Sequence, residues 1–170
     1  DFSEHRIERF RQTMQGKREK RRKLVYEAER ERLLPLSEKE LYIAGLLLYW
    51  GEGGKTSKTQ ITFSNTDPNM LKFYLRWLWR SLKVSRKKIW VKLHLYADMN
   101  EYKETKYWID KLGLSRIQFK KPYVKQTTLK GLTYKGLGHG TCNLIVYGRD
   151  YYEKVMMGMQ AISGKFRGLG

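Results

Sequence analysis

Cysteine is nearly absent. With Cys142 alone, no internal disulfide can form, so the chain of 170 residues must hold together by burying an apolar core. Only three prolines interrupt it, which leaves room for long regular elements. The most apolar stretch, Leu41 to Trp50, has ten residues and is too short to span a bilayer, and no signal-peptide pattern opens the sequence. These absences predict a chain with no membrane partner in a reducing compartment, the cytoplasm. Acid is also scarce, and unevenly so. Residues 1–40 hold 12 Lys and Arg against 9 Asp and Glu, whereas residues 41–170 hold 23 against 8. From Leu112 to Arg149 there is no acid and there are seven basic residues. A net charge of +18 concentrated in the folded body points to a polyanionic partner, with nucleic acid favoured.

The chain is organised around Leu41 to Gly53. Ser37 and Glu40 form a capping-box pattern and Leu36 a staple with Leu41, predicting a helix over 38–51. This helix is apolar all round, which requires cover on nearly every side. Ala44 and Gly45 mark where a neighbouring helix can come close. Glu52 follows directly, between Gly51 and Gly53, as the only acid between Glu40 and Asp67.

Residues 3–34 read as a long exposed helix weakened at Gly16, with a basic run from Lys17 to Lys23 that suits either phosphate contact or plain solvation. Ile61 and Phe63 alternate with Gln60, Thr62 and Ser64 in a half-buried strand over 59–65, after a turn that carries Lys55 and Lys58. Asp67 and Pro68 open a helix through Leu71, Tyr74, Leu75, Leu78 and Leu82. In the strand 88–96, Ile89, Val91, Leu93 and Leu95 form a core face. Lys88, Trp90, Lys92, His94 and Tyr96 form the other, a pattern of cations and aromatics that suits nucleic acid. Asn100 caps a third helix ending at Gly113. A strand over 117–120 is predicted to turn Gln118 and Lys120 outward, with Pro122 interrupting it or placing it at an edge. A glycine-rich basic loop from Thr127 to Gly140 follows, just after Lys125, and holds Lys130, Lys135 and His139. Cys142 to Tyr147 reads as an apolar strand, and Asp150 as the cap of a last helix through Val155, Met156, Met159 and Ile162.

Ile43-Ala44-Gly45-Leu46-Leu47 resembles the opening of the LAGLIDADG motif of homing endonucleases, and Gly51-Glu52-Gly53 resembles the glycine-flanked acid that closes it. Leu48 to Gly53 together with Phe63-Ser64-Asn65-Thr66-Asp67-Pro68 is similar to a group of bacterial LAGLIDADG-like proteins. The resemblance covers about residues 37–160, and two extra residues separate the small pair from the acid. It implies an α+β, LAGLIDADG-like mixed fold, with an antiparallel sheet packed on helices, preceded here by the long basic helix. The expected organisation is a helical extension at 1–36, a nucleic-acid-binding domain at 37–163 and a loose tail at 164–170. The resemblance further implies a homodimer through the 38–51 helix, touching at Ala44, Gly45 and Leu48. The sheet becomes a saddle on double-stranded DNA, and Glu52 both the catalytic residue and the ligand of Mg2+.

A single carboxylate needs a second subunit to complete a site for phosphodiester cleavage. His139 and Cys142 lack the further ligands of a zinc site, and the glycines after Glu52 lack the Lys-Ser/Thr of a phosphate-binding loop. Two functional classes remain. One is a metal-dependent DNA endonuclease; the other is a non-catalytic DNA-binding regulator, or an RNA-binding, maturase-like module, on the same fold.

Overall fold

The computed structural model describes residues 2–126 and 138–165. Two compact units meet at the Ser37–Glu38 peptide, one residue from the expected boundary. The first unit is a single helix, α1 (Phe2–Leu33), which continues through Gly16. None of its described side chains is buried, and ion pairs such as Arg30–Glu27 at 2.8 Å decorate its last turns.

The second unit runs α2 (Glu38–Glu52), β1 (Gly53–Gly54), β2 (Gln60–Asn65), α3 (Pro68–Arg80), β3 (Ile89–Tyr96), α4 (Glu101–Leu112), β4 (Tyr123–Lys125), β5 (Thr141–Tyr147) and α5 (Arg149–Lys165). The five strands form one sheet in the order β1-β2-β5-β3-β4. Pairing is antiparallel except between β3 and β4, so the expected antiparallel sheet carries one parallel edge. The mixed α+β class is as expected.

Alternation puts Ile61, Phe63, Ile89, Val91, Leu93, Leu95, Cys142, Leu144 and Val146 on one side of the sheet, all buried. Helices supply the rest of this core through Leu46 and Tyr49, Leu71 to Leu78, Trp108 and Leu112, and Val155 and Met159. Cys142 is a core side chain, and burial in this apolar layer pushes its thiol far above its ordinary range. Asp67 accepts from the Asn69 amide at 2.8 Å and Pro68 starts the helix, as the sequence predicts. Asn100 caps α4 at the Lys103 amide, and Gly113 ends it with φ of 62°.

Three expectations are corrected. Residues 116–118 form a 3-10 turn, not a strand: Ser115 and Gln118 close a reciprocal cap, which leaves Ile117 exposed and makes Tyr123–Lys125 the edge strand. Asp150 lies inside the first turn of α5, which begins at Arg149, and so does not cap it. The third concerns α2, whose cover is one-sided. Leu41, Gly45, Leu46 and Tyr49 are buried, whereas Ile43, Leu47 and Trp50 form an exposed stripe at 36%, 50% and 41%. Gly45 faces Trp77 of α3 in its own chain rather than a twin helix. A Cβ there would overlap the indole, whose Nε1 donates to the Tyr42 carbonyl at 3.2 Å. Among the described residues no helix is long and apolar enough to cross a membrane.

Gly45→Leu therefore acts within one chain. It is expected to destabilise the fold by at least about 1–3 kcal/mol, the usual cost of overpacking, read from the denaturant midpoint. An unchanged midpoint contradicts this packing.

Candidate nucleic-acid interface

The residues that alternate with the core positions along β2, β3 and β5 point to the other side of the sheet and are half-buried or exposed. By register, Thr62 and Trp90 flank Ile145, Ser64 and Lys92 flank Asn143, and His94 lies between Thr141 and Tyr123. Gln60 pairs with Tyr147 at one end and Tyr96 with Lys125 at the other. None of these residues is an acid. Cations stand against rings: the Lys120 ammonium is 5.3 Å from the Trp90 ring and 4.6 Å from the Tyr147 ring, and Lys125 is 5.4 Å from Tyr96. Lys120 also donates to the Tyr147 hydroxyl at 2.6 Å. His94 meets Tyr123 edge-on at 5.3 Å. Asn143 donates to the Lys92 carbonyl at 2.8 Å and accepts from Ser64, which ties three strands across the centre. Aromatic faces with fixed cations are the chemistry that stacks on bases and neutralises phosphates.

Burial first, then repulsion from Lys92 and Lys125, lowers the His94 pKa from its ordinary 6.5. The face thus keeps a neutral imidazole among its lysines at pH 7.

The structure brings Trp90, Lys92, His94, Tyr96, Lys120, Lys125 and Gln60 onto this one face. It does not bring Gln118 there. That side chain is buried and donates to the Arg86 and Ile89 carbonyls, both at 2.8 Å, and it accepts from the Ser115 amide, so it is a structural clamp. Lys88 sits in a 3-10 turn before β3, its ammonium 5.8 Å over the Tyr151 ring of α5. Lys55 and Lys58 are exposed in the β1–β2 turn, Lys55 donating to the Gly53 carbonyl at 3.1 Å. Lys130 and Lys135 lie outside the described residues. Tyr123, Asn143 and Tyr147 belong to the face and were missed. The alternation of Thr141, Asn143, Ile145 and Tyr147 against Cys142, Leu144 and Val146 was the available signal for two of them.

Glu52 is the exposed last residue of α2, one peptide before the edge strand β1. The two glycines after it are required. A Cβ at Gly53 would overlap the Tyr49 ring and one at Gly54 the Thr62 hydroxyl, while the Tyr49 hydroxyl donates to the Gly54 carbonyl. The helix is thereby tied at its end to the sheet. Ala44 and Leu48 are half-buried beside the exposed stripe of α2. His139, just after a segment that lies outside the described residues, bonds the buried Glu104 carboxylate at 2.7 Å and stacks on Tyr107. Among the described residues no group of three or more His, Cys, Asp or Glu side chains is placed to hold a metal ion. Comparison with protein-family models, curated proteins and solved structures gives no match to this chain.

The His94 environment predicts a measurable titration. Its folded pKa is lowered, so its contribution to stability is complete above pH 6.5 and is lost as pH falls toward the folded value. Lys125→Met removes one repelling charge and is expected to move the imidazole NMR titration back up. A midpoint already at the ordinary value, or unmoved by the substitution, contradicts the assignment.

Proposed function

We propose that the sheet face binds double-stranded DNA and that two copies of the chain, joined through α2, cleave it in a Mg2+-dependent reaction of the LAGLIDADG endonuclease type. The observation that carries the reading is the composition of that face: Lys92, Lys120 and Lys125 among Trp90, Tyr96, Tyr123 and Tyr147, with no carboxylate. The lysines take phosphates, which gives affinity without sequence information. The polar residues of the centre, Ser64, Asn143 and Thr141, face base edges. A phosphate near His94 offsets the repulsion from Lys92 and Lys125 and favours its protonated form, so DNA binding takes up a proton.

The cutting step rests on Glu52. Among the described residues one chain assembles no group of three or more metal-ligating side chains, and on this reading a second Glu52 completes the site. The exposed stripe of Ile43, Leu47 and Trp50 offers α2 a face for a second copy. A shared ion requires in addition that the pairing bring the exposed Glu52 at the end of each α2 near the axis. Like charges at close range repel unless a cation lies between them. Magnesium bound there would supply that neutralisation and Lewis acidity toward a scissile phosphate. The second reading, a non-catalytic DNA-binding regulator or an RNA-binding, maturase-like module, is favoured by the lack of a multi-ligand group in one chain among the described residues.

The two readings separate in one assay. With a plasmid library and Mg2+, the wild type is expected to cut and Glu52→Gln to lose cutting while its DNA affinity holds or rises. Cutting that survives Glu52→Gln removes Glu52 from the site, and no cutting by the wild type favours the non-catalytic reading. In sedimentation, Leu47→Glu is expected to convert dimers to folded monomers. A wild type that is monomeric at about 10 μM, a concentration at which even a Kd of 1 μM leaves mostly dimer, contradicts the α2 interface.

A further inference from the structure

The helix α1 plays no part in that reading, yet its charges are sorted. Lys17 to Lys23 places six cations and one acid within seven residues, about 10 Å of helix, all exposed. The one acid, Glu19, accepts from Gln15 at 2.9 Å. At 100° per residue, the six glutamates of α1 all fall outside one arc of about 120°. Inside that arc stand Arg6, Lys17, Arg18, Arg21 and Arg32, the last paired with Glu29. Among them are Ile7, Phe10, Met14 and Val25; Ile7, Phe10 and Val25 are more than half exposed.

We propose that this arc of α1 is a second contact surface for duplex DNA, separate from the sheet: the cations take phosphates and the apolar residues take sugars and thymine methyls. A helix fits the major groove by width, and cations mixed with apolar side chains match a groove whose walls are phosphates and whose floor is base edges. An acidic lipid surface fits less well. From Gln15 through Lys23 the helix has no apolar residue but Gly16, a gap of about 13 Å, and Arg21 would sit in the centre of any buried face. Repulsion among the six clustered cations, which Glu19 offsets only in part, is relieved by a polyanion.

The inference shares its ligand with the sheet reading, so the test varies the two surfaces separately in the full chain. Four proteins are compared on one duplex across a salt series. These are the wild type; Lys17→Gln, Arg18→Gln, Arg21→Gln on the arc; Arg9→Gln, Lys20→Gln, Lys23→Gln outside the arc; and Lys92→Gln, Lys125→Gln on the sheet. Glutamine is a good helix former, so α1 is retained. The arc variant is expected to lose about ten-fold in affinity and roughly two units of log–log salt slope, and the matched variant less than half of that slope change. Equal losses from the two α1 variants, or none, overturn the inference and leave the sheet reading standing. Losses from the arc variant but not from the sheet variant support α1 and overturn the sheet reading. Absence of duplex binding by the wild type overturns both. Tighter wild-type binding to phosphatidylserine-containing vesicles than to the duplex, lost in the arc variant, assigns the surface to lipid and overturns the inference.

Discussion

The close approach of α2 to α3 at Gly45 sets the geometry of the larger unit. With no side chain at Gly45, the Trp77 indole reaches the α2 backbone and donates to the Tyr42 carbonyl. Gly158 of α5 lets Leu46 and Tyr42 come near from another side, an added Cβ there meeting Leu46 at 3.0 Å. Those contacts fix the roll of α2 about its axis. Once the roll is fixed, Tyr49 points inward to hold the Gly54 carbonyl, Glu52 ends the helix at the sheet edge, and Ile43, Leu47 and Trp50 are left outside. A different residue at position 45 would move all three consequences together.

The second constraint is electrostatic. On the candidate sheet face Lys120 and Lys125 stand against aromatic rings. Cation–π contacts position an ammonium without neutralising it, so the face keeps its positive potential. Burial first, and then the nearby charges of Lys92 and Lys125, lower the His94 pKa. Such a face attracts polyanions and repels most proteins' basic surfaces. On the proposed account α1 adds a second surface of the same sign, with its acids turned away.

Much of this was legible in the sequence because periodicity and caps are local. The two-residue alternation of 88–96 gave both faces of β3, and Asp67-Pro68 and Asn100 marked helix starts that the structure keeps. Failures came where a non-local partner decided the outcome. The 117–120 alternation lost to the Ser115–Gln118 cap and to the carbonyls of Arg86, before β3, and Ile89, its first residue, which turned Gln118 inward. An apolar helix reads the same whether its last face meets its own chain or another, so the outward stripe of α2 was invisible, and so was Trp77 as the partner of Gly45. The parallel pairing of β4 depends on where the chain returns after α4, which no local pattern encodes. Glu52 at the end of α2 was legible in the sequence.

The central claim is that the open sheet face, and not the net charge as a whole, takes the nucleic acid. Charge reversal on opposite sides of the sheet tests it directly. Lys92→Glu with Lys125→Glu alters the open face, and Lys72→Glu with Arg76→Glu changes the charge equally on the exposed side of α3. Duplex affinity at fixed moderate salt is predicted to fall by roughly a hundred-fold or more for the first pair and by no more than about five-fold for the second. Equal losses from the two pairs would contradict the account, because they would reduce the protein to a diffuse basic surface with no preferred face.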